Sequence, residues 1–190
     1  MSGNRFAVLA LCATLGLCTE VQAQSAAAPN PGLDSARANL AKYNDPFVAL
    51  ANGYLSTVAC IDFAIPGKAG ETPYRPGAMG VHFINTGVIG KPLDPAMPTV
   101  LMYEPHGDSL QLVGAEWFTP VEAAPTRPVL FGQPLDGPMD GHAPIMPASL
   151  KHYDLHVWLW RTNPAGVFSP TNSAVRCPKG PLTHTEGHTH

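Results

Sequence analysis

Apolar and polar positions change rhythm along this chain. Leu33, Ala36, Leu40 and Tyr43 recur at helical spacing, with Asp34 and Ser35 as capping residues, which predicts a helix. Asp45-Pro46 predicts a second helix start, an N-cap followed by proline at the first helical position. Its apolar face would be Phe47, Leu50 and Tyr54, and Gly53 weakens it. Past Cys60 the rhythm shortens to β-like runs split by turn residues. These are "MGVHFIN" (79–85), "TVLMYE" (99–104), "LQLVGAEWF" (110–118) and "KHYDLHVWLW" (151–160). The second and third flank "PHGDS" and predict a hairpin. With Glu104 facing Leu110, Met102 faces Leu112, and both share a side with Glu116 and Phe118.

The fourth run admits two periods. His152 and His156 are four apart, as on one helical face. Strand is favoured, because the run is short, lies between Pro147 and Pro164, is rich in Tyr, Val and Trp, and has no polar face at helical period. As a strand it sets Tyr153, Leu155, Val157 and Leu159 on one side. His152, Asp154, His156, Trp158 and Trp160 fall on the other. Both sides are bulky, which predicts a strand covered on both faces.

These elements predict an α+β fold, with N-terminal helices packed on an antiparallel β-sheet that curls toward a small barrel. A single globular domain is expected over residues 33–178, after a flexible leader at 24–32 and before a disordered His-rich tail at 179–190. The connection 119–149 is long and rich in Pro and Gly, the texture of a lid or binding loop, and it carries His142.

The first 23 residues have the form of a secretory signal peptide: Arg5, an apolar stretch, then "VQA" ending at Ala23. The expected location is therefore periplasmic or extracellular, without stable membrane insertion. Removing it takes away Cys12 and Cys18 and leaves Cys60 and Cys177. In an oxidising compartment that pair predicts a disulfide. The rival, two thiolates on a metal, lacks a C-x-x-C partner at either position. The formal charge of −3 and the scattered basic residues argue against nucleic acid or anionic membrane as a partner.

A resemblance covers Cys60 to Cys177. "GAMGVHFIN", "LQLVGAEWF", "LFGQPL" and "YDLHVWLWRTNPAGVFSPTNSAVRCP" resemble motifs of a family of small exported bacterial proteins usually labelled hypothetical. That likeness implies a shared domain in which both cysteines, His82, Glu116 and His156 fall on motif positions. It implies no activity. Ser173-Ala174 departs from it, standing where the family tends to show proline.

His82, Glu116 and His156 each interrupt an apolar strand, and burying such a group costs several kcal/mol unless it is paired. Two imidazoles and a carboxylate suit a divalent transition metal such as Zn, Cu, Fe or Mn, so the expected function is binding of such a metal or a small ligand in a β-sheet pocket. Asp154 would then support His156 as an outer acceptor. The competing reading is a disulfide-stapled structural or interaction domain, with no metal and no catalysis. There each buried group is hydrogen-bonded to backbone. His184, His188 and His190 are a weak metal-scavenging candidate in the tail. Neither a G-x-S-x-G nucleophile nor a Gly-rich phosphate loop is present. His106 and Asp108 read as turn residues.

Overall fold

The structure is a computed structural model that describes residues 30–141, 146–180 and 182–186. Two short helices, α1 (Pro31–Leu40) and α2 (Pro46–Ala51), are joined by a 3-10 turn and precede the strands. The strands are β1 (Leu55–Phe63), β2 (Gly67–Ala69), β3 (Thr72–Tyr74), β4 (Gly77–Ile84), β5 (Val100–His106) and β6 (Ser109–Pro120). After them come β7 (Val129–Leu130), β8 (Gln133–Pro134), β9 (Asp136–Met139), β10 (His152–Val157) and β11 (Thr183–Glu186). The main sheet has the order β11-β1-β4-β5-β6-β10-β9. All its pairings are antiparallel except β1 with β11, and it curls into a half-barrel. The predicted α+β architecture is the observed one.

Both helices lie on one face of this sheet. Ala36, Leu40, Tyr43 and Ala49 pack with Val81, Phe83, Leu101, Tyr103, Ala115, Trp117, Leu155 and Val157. Burying each large aliphatic side chain here contributes about 1.5–3 kcal/mol. Two phenols fasten the helical segment: Tyr103 donates to the Tyr43 carbonyl at 2.6 Å, and Tyr54 to the Pro98 carbonyl at 2.8 Å.

The helices differ in detail from the sequence pattern. Asn30 caps α1 in place of Asp34 and Ser35, with Oδ1 accepting from the Gly32 and Leu33 amides. Residues 31 and 32, expected in the leader, are therefore helical. Asp45 caps α2 as predicted. The predicted face of α2 is only partly right. Tyr54 is buried, but Phe47 is 78% exposed and Leu50 is exposed, while Ala49 makes the contact. A six-residue helix that ends before Gly53, at φ +86°, presents less than two turns to the sheet.

The hairpin register also differs. His106 pairs with Ser109, so the turn is Gly107-Asp108, and Pro105 rather than Glu104 faces Leu110. A bulge then shifts the pairing between Met102–Gly114 and Tyr103–Leu112. Leu110 and Leu112 consequently join the helix-side core, while Met102 and Val113 pack on the opposite face with Val100 and Trp158. The stretch expected as a disordered tail supplies β11, whose backbone pairs with Cys60–Phe63. Residues 187–190, the leader up to 29 with Cys12 and Cys18, and His142 lie outside the described residues.

Cys60 and Cys177 are joined in a disulfide with Cα atoms 5.6 Å apart across 117 positions. In the chain-entropy picture a loop of that length is worth about 4–5 kcal/mol. It fixes the C-terminal segment beside β1. Next to it, the Arg176 amide donates to Glu104 Oε1 at 2.9 Å, and Arg161 Nε lies 3.6 Å from Glu104 Oε2. Among the described residues no helix is long and apolar enough to cross a membrane.

Candidate metal centre

Three central strands supply the polar cluster on the sheet face away from the helices. β4 carries His82, β6 carries Glu116, and β10 carries His156. His156 and Glu116 are direct cross-strand partners. His82 sits beyond β5, in register with Met102, one row away from the line Ile84–Val100–Glu116–His156. Strands two apart in a flat sheet stand roughly 9.6 Å from each other. In the curled half-barrel their side-chain tips nevertheless come close.

The tips converge. Nε2 of His82 and Nε2 of His156 each lie 3.7 Å from Glu116 Oε2. One potential ligand atom from each residue falls within 4.8 Å of the others, and all three residues are buried. A separation of 3.7 Å is too long for a hydrogen bond. It is close to the spacing of donors around one ion: tetrahedral ligands at 2.0–2.1 Å from zinc are roughly 3.4 Å apart. The trio could hold a metal: the two histidine–glutamate separations need a contraction of a few tenths of an ångström, and the widest separation, within 4.8 Å, a larger one.

The electrostatics point the same way. Burial, and secondarily the His156 ring, push His82 down to about 3, against the Gly80 backbone and Asp154, which act to raise it. His82 is therefore a neutral imidazole with a lone pair to give at physiological pH. Burial, and then Asp154, hold Glu116 well above the ordinary carboxylate range. The ion pairs of Glu116 among the described residues are with histidine alone. A dication at the centre would relieve the desolvated carboxylate and would find in His82 an imidazole that needs no deprotonation.

Asp154 stands beside His156. Its Oδ1 lies 4.0 Å from His156 Nδ1, and its Oδ2 lies 3.7 Å from His152 Nε2. This leaves the Nε2 side of His156 toward Glu116. His152 is outside the trio. Its Nδ1 is 3.2 Å from the Leu150 carbonyl oxygen, and its ring packs on Phe118. Across the β9–β10 pairing, Asp136 faces Asp154 and is raised to about 6, by burial first and then by Asp154. Arg127, 3.9 Å away, and Thr72 oppose that shift.

His82, Glu116, His156 and Asp154 all line a cavity of about 220 Å³. The strand residues Met79, Ile84, Val100 and Phe118 give it apolar walls, with Thr99 and Tyr74 at its margins. Met146 and Pro147, from the long 119–149 connection, and Leu150 beyond it also line the cavity. The predicted covering loop thus reaches the site, although part of it forms β7, β8 and β9 instead. Ile89 and Thr86, from the turn after β4, also reach the cavity. No sequence pattern marked those two residues, because their only common property is the space they enclose.

His106 lies at the hairpin turn, 3.3 Å from Glu104 Oε2. The backbone of His184 belongs to β11. No protein-family model, curated protein or solved structure matches the chain. The family resemblance therefore rests on its motifs alone.

Proposed function

We propose that this is an exported binding domain that holds one divalent transition metal, of the Zn, Cu, Fe or Mn class, on His82, Glu116 and His156. One observation carries the reading. Three ligand atoms from three different strands meet within 4.8 Å in the buried wall of a cavity. Backbone-satisfied structural histidines have no reason to aim at one common point. Three protein ligands beside a cavity match the open form of metal site, in which a further position is left for a small molecule. Export is supported by the Cys60–Cys177 disulfide and by the signal-peptide pattern of residues 1–23. The motif family named above is proposed as the chain's kin on the same footing.

The test is elemental analysis of untagged protein, followed by zinc titration of the chelator-treated chain. About one metal per chain is expected, with binding weakened strongly by His156→Ala. Absence of stoichiometric metal, together with zinc binding that His156→Ala leaves intact, would favour the structural alternative.

A further inference from the structure

The cavity has two chemistries. Its donors gather on the sheet, while the segments that cover it bring Met146, Pro147, Leu150 and Ile89, none of which carries a charge. Its volume of about 220 Å³ exceeds the roughly 150 Å³ that suffices for benzene in an engineered apolar cavity. One substituted ring therefore fits, and a fused three-ring system does not. A dication on two neutral imidazoles and the Glu116 carboxylate keeps one positive charge. Asp154, which also borders the cavity, stands on the Nδ1 side of His156, away from the Nε2 atom that meets Glu116. The remaining coordination position then favours a singly charged oxygen donor.

Resting on the metal reading above, we propose that the pocket binds a small, mainly apolar monoanion of about one ring, whose oxygen completes the coordination of the metal. The apolar body lies under Met146 and Leu150 and displaces water from Phe118 and Val100. The head supplies the donor. Neither part binds well alone, because the walls offer few polar partners and the centre offers no grip on a hydrocarbon.

Cobalt(II)-loaded chain separates the two claims, since its visible spectrum reports a new oxygen ligand. Acetate, benzoate, toluene and anthracene-9-carboxylate are titrated, with calorimetry for the spectrally silent toluene. Benzoate is expected to bind at least about tenfold more tightly than acetate, from the apolar area its ring buries. Toluene should bind more weakly than benzoate, anthracene-9-carboxylate should be excluded, and chelator treatment should weaken benzoate binding. If cobalt binds but acetate and benzoate bind equally, this inference falls and the metal reading stands. If the chain takes up no cobalt at this centre, both fall.

Discussion

Glu104 and Glu116 lie on the same sheet and are buried almost equally, at 2% and 4% exposure, yet their surroundings are opposite. Glu104 accepts from the Arg176 amide at 2.9 Å and has Arg161 and His106 within 3.6 Å. Its neighbourhood is locked by the disulfide one residue beyond Arg176. Among the described residues Glu116 has histidine alone for ion partners, and the separations of 3.7 Å are too long for a hydrogen bond. A buried carboxylate that accepts from a peptide N–H, with a guanidinium nearby, is a fastening. One set among imidazoles, beside a cavity, lacks positive charge that the fold itself does not provide.

The largest effect should come at the fastened end. Replacing both Cys60 and Cys177 by alanine should cost about 4–5 kcal/mol in urea unfolding. Zinc affinity at the Glu116 end should change little while the chain stays folded. Next, Glu104→Ala should cost up to about 3 kcal/mol, because it strands the Arg176 amide, while Arg161 keeps its hydrogen bonds to the Ala174 carbonyl. Glu116→Gln should behave in the reverse manner. Metal-free stability at neutral pH should hold or rise, while zinc affinity falls roughly a hundredfold, about 2.7 kcal/mol. Equal losses of stability in the two glutamate variants would erase the contrast.

Acidity sharpens it further. Glu116 holds its proton above the usual carboxylate range without metal and must release it to bind a cation. Affinity should therefore rise with pH by up to about tenfold per unit, and level off above the raised value. His82, at about 3, adds no such slope near neutrality. Glu116→Gln should flatten the profile measured by zinc titration between pH 5 and 8. The smallest expected effect is about a tenfold loss of affinity in Asp154→Asn, through a less firmly oriented His156.

The strand carrying His156 was readable because both of its alternating faces are bulky, which a helix of that composition would not show. The hairpin was readable in existence and wrong in register. The turn uses two residues where "PHGDS" suggested more, and the bulge at Val113–Gly114 adds one residue to β6. Those two slips cancel in parity, which is why Glu116 still falls on the side of Met102 although Leu112 does not. Other features left no local trace. Phe47 has an apolar character that α2 is too short to use. The pairing of β11 relies on backbone groups in a polar segment, where side-chain patterning is silent.

Two glycines have a consequence for recognising this site elsewhere. Gly80 precedes His82 by two positions, and a methyl group there would meet the Tyr103 carbonyl oxygen at 2.3 Å. Gly114 precedes Glu116 by two positions, and a methyl group there would meet the Val157 carbonyl oxygen at 2.7 Å. The searchable signature is therefore a set of three spaced pairs: Gly-x-His, Gly-x-Glu and Asp-x-His. A chain that keeps the ligands but fills either glycine would have to separate the strands that bring those ligands together. Genome searches keyed to the ligands alone would collect such impostors, and searches keyed to the pairs would discard them.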